Sequence, residues 1–268
     1  MLKAVEAVTS RGSRSAGVGV ALAVLMMSSW GIACASAAPK TATPPAAPAA
    51  SPTPAPTPRM PPLDVCVEPS DGARQVAFSG PKGETVYGAS VGSGDVGVVM
   101  AHQYFGSLCE WWPEARRLRD QGYRVVAFDF GHDLVDNVIG AAAELRREGS
   151  TKIVLAGASM GATASLVAAT SIQPTVAGVA SLSGPAVYHQ LSAADAVKTL
   201  TVPVLFMDAR DSKDFPADAR AMHAACPSAH KELLLLPGTD HGAMLLGYDV
   251  GDQARAALEG FIARAASG

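Results

Sequence analysis

Three kinds of pattern are absent from this chain, and each absence narrows what the protein can be. It has no basic patch or lysine-rich run, and its net charge is −3, so nothing in it is laid out to neutralise the phosphates of a nucleic acid. It has no CxxC, no HExxH and no phosphate-binding loop, so no cofactor and no metal is expected. "GSGDVG" contains glycines but precedes a strand, which makes it a turn and not a dinucleotide fingerprint. Internal repeats are also missing. Cysteine is scarce, with four in 268 residues.

What is present is unevenly distributed. Lys3, Arg11 and Arg14 open the chain, 16–32 is almost wholly apolar, and "ACASAAP" follows. That order is the pattern of a secretory signal peptide over 1–38, with small residues at Ala35 and Ala37 placing cleavage after Ala37. The apolar run, roughly 17 residues, is at the short end for a membrane span. Cys34, preceded by Ala33, offers a second reading as a lipidated cysteine, although Gly31 stands where such signals usually carry Leu. A lipid there would tether the protein without spanning the membrane. The expected location is secreted, extracellular or in the cell envelope.

Residues 39–62, "PKTATPPAAPAASPTPAPTPRMPP", have little to bury and favour extended geometry, as a spacer does. The globular domain is expected over 63–268, about 205 residues, enough for one good core. Three cysteines remain in it: Cys66, Cys109 and Cys226. In an oxidising compartment two can pair. Cys66 with Cys109 is the favoured pair because both lie in the N-terminal part, and Cys226 competes.

Residues 75–78 and 85–91 read as strands around "GPKGE", a hairpin. After it, strands and helices alternate. The strands are "GVVMA", "YRVVAFDF", "KIVLAG", "VAGVASLSG", "VPVLFMDA" and "KELLLLPG". Helical spacing covers 112–121, 135–148, 160–170, 218–225 and 251–265. The later strands are continuous apolar runs, as strands covered on both faces are. The expectation is an α/β fold: a mostly parallel sheet with helices on both faces, opened by an antiparallel hairpin.

Within this frame "GASMG", 157–161, ends a strand and opens a helix. A serine hydroxyl is a weak nucleophile that needs a base in reach and donors for the developing oxyanion. A tight strand-to-helix turn presents Ser159 above the strand end, Gly157 and Gly161 leave room for the turn, and the N–H of Met160 faces an oxyanion at the helix N-terminus.

With those residues in place, the chain from about 75 onward resembles an α/β-hydrolase, and "GASMG" resembles its nucleophile elbow. "VVMAHQYFGS" is similar to the strand and His-Gly loop that carries the second oxyanion donor. "GYRVVAFDFGH" is similar to the strand and loop that follow. "VPVLFMDARDSKDF" resembles the acid-bearing strand and turn, and "GTDHGAMLL" the histidine loop. The order Ser, acid, His is that of this fold. The resemblance implies a triad of Ser159, Asp211 and His241, with Asp208 as the alternative acid. Ser212 is the residue that aligns with the commonest acid position. Met160 and Tyr104 would donate to the oxyanion, although Gln103 replaces the usual Gly and puts a side chain near the pocket. His102 is expected to hold the loop, not to act as a base. Trp112 reads as core, whereas Tyr104 and Phe105 read equally as core or as a substrate wall.

The connection "PAVYHQLSAADAVKTLT" has room for about one short helix, so no large cap is expected. The function implied is hydrolysis of a small-molecule carboxylic ester through an acyl-serine, as in lidless esterases and dienelactone-hydrolase-like proteins. The rival is a non-catalytic surface protein of the same fold that binds a ligand or partner.

Overall fold

The computed structural model describes residues 60–247 and 249–268. The expected signal peptide, Cys34 and residues 39–59 of the spacer lie outside the described residues.

The opening hairpin forms from β1 (Arg74–Ser79) and β2 (Thr85–Val91), paired antiparallel from Arg74 opposite Ser90 to Ser79 opposite Thr85. Gly83, at φ 84°, supplies the positive φ that its turn requires. Then β3 (Val96–Ala101), α1 (Trp112–Asp120), β4 (Arg124–Phe128), α2 (Leu134–Arg147), β5 (Lys152–Ala158), α3 (Met160–Ala168) and β6 (Gly178–Leu182) alternate. A short hairpin, β7 (Val187–Tyr188) and β8 (Leu191–Ser192), leads into α4 (Ala193–Ala196). The chain closes with β9 (Val204–Ala209), α5 (Phe215–Ala225), β10 (Lys231–Leu236) and α6 (Gly251–Ser267).

Eight strands make one sheet in the order β1-β2-β4-β3-β5-β6-β9-β10. From β4 to β10 every neighbouring pair is parallel, and β2 meets β4 antiparallel. Helices cover both faces, which explains the apolar runs. On β3, Val98 and Met100 join a core with Trp111, Trp112 and Phe261, while Val99 and Ala101 join one with Val138, Leu145 and Leu166. The period of two is present, but both phases are buried. Eight of the nine residues of α3 are buried, and this accounts for its Ala-rich composition, since a helix covered all round has no polar face.

Helix ends follow local chemistry. The Asp133 carboxylate caps α2 by accepting the Asp136 N–H at 3.1 Å, and Gly149 follows the last turn at φ 105°. α5 starts at Phe215, earlier than the periodicity from 218 suggests, because Pro216 suits the first turn, where its missing N–H costs nothing. Between β6 and β9 there is only the β7–β8 hairpin, α4 and one 3-10 turn at Val197–Thr199, so among the described residues this connection inserts no cap domain. Cys66 and Cys109 form the disulfide, and Cys226 is a buried free thiol.

Candidate active site

Ser159 sits between β5 and α3 with φ 47° and ψ −113°. A non-glycine residue in such backbone carries on the order of 1–3 kcal/mol of strain. The surroundings enforce it. The Ser159 N–H donates to the Leu182 carbonyl at 2.8 Å, and its own carbonyl accepts from Ala162 at 3.0 Å and Thr163 at 3.1 Å. The flanking glycines are sterically required. A Cβ on Gly157 would run into the carbonyl of Gly161, and a Cβ on Gly161 into those of Ala101 and His102. Met160 is the first residue of α3, where N–H groups have no acceptor within the helix and the helix dipole is positive.

The loop after β3 lies beside this turn. The Phe130 N–H donates to His102 Nε2 at 3.1 Å, which leaves the proton on Nδ1, and Nδ1 donates to the Gln103 carbonyl at 2.8 Å. His102 therefore holds the loop as a neutral imidazole. Its burial, which lowers its pKa, favours the same state. Tyr104 is 58% exposed and Phe105 91% exposed, with ring centroids 4.0 Å apart, so neither is core. Trp111 and Trp112 are both core: Trp111 donates to the Ala101 carbonyl at 3.0 Å and Trp112 to the Asp71 carboxylate at 2.7 Å.

His241 follows β10 and is half-buried, its ring against Phe215 at 4.3 Å between centroids. Burial lowers its pKa, which favours the neutral, proton-accepting form. Ser159, His241 and Tyr104 line one cavity of ≈ 420 Å³ with Gln103. Pro185, Val187, Tyr188 and Phe215 complete it and make its walls largely apolar. Phe215, Val187 and Tyr188 carry no sequence signal for this place: they come from a helix start and an unpredicted hairpin, and only tertiary packing brings them here.

The two candidate acids are placed differently. Asp211 lies outside the cavity, its side chain 51% exposed. Its carboxylate accepts the Gly238 N–H at 3.0 Å and Arg210 Nε at 3.2 Å, and these bonds, the Gly238 one first, hold its pKa below the usual carboxylate value. In return the Asp211 N–H donates to the Gly238 carbonyl at 3.0 Å. Asp208 is fully buried at the end of β9. Its Oδ1 accepts the Ser183 hydroxyl at 2.9 Å and the Ala209 N–H at 2.8 Å, Oδ2 has no partner, and burial pushes the group up to about 6. His241 Nδ1 is buried without a hydrogen-bond partner, so neither carboxylate bonds to it. Among the described residues one group of side chains has metal-ligand spacing, Asp64 with Cys66 and Cys109, and both of its sulfurs are committed to the disulfide.

No protein-family model and no curated protein matches this sequence. Solved structures do match it. An esterase of Pyrococcus furiosus superposes with a TM-score of 0.64 at 15% identity, over 76% of this chain and 96% of that one. The chain has the α/β-hydrolase fold. A dienelactone hydrolase of Anabaena variabilis gives 0.58 at 22% identity, over 70% and 95%. The esterase domain of a Rhodothermus marinus protein gives 0.55 at 22%, over 68% and 98%. Within this fold Ser159 occupies the turn between β5 and α3, residues 102–106 the loop after β3, and His241 the loop after β10, the last strand.

Proposed function

We propose that the protein is a serine hydrolase that cleaves small carboxylic esters through an acyl-serine intermediate. The observation that carries this reading is the strained Ser159 at the elbow, sharing one cavity with the half-buried His241. The neighbours in fold include esterases and a dienelactone hydrolase. In the proposed reaction His241 takes the Ser159 hydroxyl proton as Oγ bonds to the ester carbon. The N–H groups of Met160 and Tyr104 receive the oxyanion. His241 then passes the proton to the departing alkoxide, and water repeats the sequence to free the acid. Asp211 orients His241 through the two Gly238 bonds, which fix the loop three residues before it. The apolar walls and ≈ 420 Å³ volume suit a short acyl or aryl group, reached without a cap.

Export through the N-terminal segment, with 39–62 as a spacer from the cell envelope, belongs to the same proposal. The Cys66–Cys109 disulfide supports it, since such bonds persist in oxidising compartments. The rival, a ligand-binding protein without activity, draws on the absence of a hydrogen-bond partner at His241 Nδ1. Labelling with a fluorophosphonate probe separates the two. The wild type should label, Ser159→Ala should not, and His241→Ala should label far more slowly. A folded wild type that stays unlabelled would favour the binding protein.

A further inference from the structure

We propose that Glu110 is a positioning residue for the oxyanion loop, an inference that rests on the hydrolase reading above. The loop's critical group is the Tyr104 N–H, which belongs to the peptide joining Gln103 to Tyr104. A trans peptide is planar with its C=O and N–H pointing in opposite directions, so fixing the Gln103 carbonyl fixes the Tyr104 N–H. That carbonyl accepts from His102 Nδ1 at 2.8 Å and from the Gly106 N–H at 2.9 Å. The preceding peptide is held from the other side: the Gln103 N–H donates to Glu110 Oε1 at 2.6 Å. Two consecutive peptides are thereby pinned, the first of them by the Glu110 carboxylate.

Glu110 is itself firmly placed. It ends the 3-10 turn Leu108–Glu110, whose Leu108 N–H donates to Asp129 Oδ1 at 2.8 Å and whose Cys109 is tied to Cys66. Gly106 lies against Glu110: a Cβ there would run into its carboxylate and come within 3.0 Å of the Gln103 carbonyl. The acid is half-buried, and Gln103 is its hydrogen-bond partner among the described residues. Burial pushes its pKa up to about 7, with the Gln103 bond as the opposing influence. A half-buried carboxyl with no salt-bridge partner among the described residues bears a desolvation cost. Its use here is to hold a backbone N–H beside the nucleophile.

The test compares wild type, Glu110→Gln, Glu110→Ala and Glu110→Asp in the purified full chain, with p-nitrophenyl butyrate as substrate and a trifluoromethyl ketone as oxyanion-forming inhibitor. Glu110→Ala should lower kcat about 10- to 100-fold, a fraction of what a lost oxyanion donor costs. KM should stay within about twofold, and inhibitor affinity should fall in step with kcat. Glu110→Gln keeps an acceptor oxygen and should remain within about threefold of wild type. Glu110→Asp, one methylene shorter, should behave like Glu110→Ala, and it carries the test if the alanine variant does not fold. Wild-type kcat in Glu110→Ala or Glu110→Asp would overturn the proposal, as would equal losses in the Gln and Ala variants. If the wild type labels with no fluorophosphonate, the hydrolase reading fails, and the loop role is then read by hydrogen exchange. Faster exchange at Gln103 and Tyr104 in Glu110→Ala but not in Glu110→Gln would support it; unchanged exchange would overturn it.

Discussion

Asp211 and Gly238 exchange two hydrogen bonds, N–H to carbonyl and N–H to carboxylate, each 3.0 Å long. They join the turn after β9 to the loop that carries His241. In the proposed reaction His241 would thus be oriented through backbone, since its buried Nδ1 has no hydrogen-bond partner among the described residues.

This arrangement predicts an unusual response to substitution of the acid. Asp211→Asn retains an oxygen for the Gly238 N–H, and should lower kcat about tenfold or less. Asp211→Ala removes it and should cost more, about 10- to 100-fold. A directly bonded triad acid would lose roughly 10⁴-fold on conversion to Asn. Steady-state kinetics of both variants beside Asp208→Asn decide the matter. A loss near 10⁴ in Asp211→Asn would show that the carboxylate meets the imidazole during turnover.

The backbone at Ser159 predicts a trade between activity and stability. At φ 47° and ψ −113° a glycine fits and a side chain strains. Ser159→Gly should abolish ester hydrolysis while stabilising the fold by on the order of 1–2 kcal/mol, less whatever entropy glycine restores to the unfolded chain. Ser159→Ala should be equally inactive without that gain. Denaturant melts of the three proteins measure this, and equal midpoints for the Gly and Ala variants would show that the turn stores no strain.

Glu114 predicts how stability depends on pH. It is buried on α1, and desolvation first, then the neighbouring Glu259, raise its pKa from 4.5 to about 7. For a carboxyl raised on folding, the folded state binds the proton more tightly. Its favourable contribution is therefore complete below about 4.5 and is lost as pH rises towards 7. Above that range the buried charge is a net cost. Glu114→Gln keeps the shape without the charge and should stabilise the protein above pH 7 by on the order of 2–3 kcal/mol, and by little at pH 4. Urea midpoints at pH 4.5 and 8 provide the check. A gain independent of pH would mean that the group does not titrate in this range.

Much of the molecule is legible in the chain itself, because its signals are local. Apolar runs bounded by glycines mark the strands of a sheet covered on both faces, and "GASMG" at a strand-to-helix junction marks the elbow. The steric demands on Gly157 and Gly161 are met within a few residues or by the adjacent strand end. The position of His241 after the last strand follows from chain order. Tertiary structure decides the rest, for a physical reason: side chains that meet across loops leave no periodicity in the sequence. Three aspartates crowd the stretch after Met207, and the sequence cannot say that Asp208 turns inward to Ser183 while Asp211 turns to Gly238. Phe215 reaches His241 because α5 starts early, and Tyr188 reaches Ser159's cavity through a two-residue strand too short to show a pattern. Glu110, seven residues beyond Gln103, meets that residue's N–H because the chain folds back through a 3-10 turn anchored to Cys66.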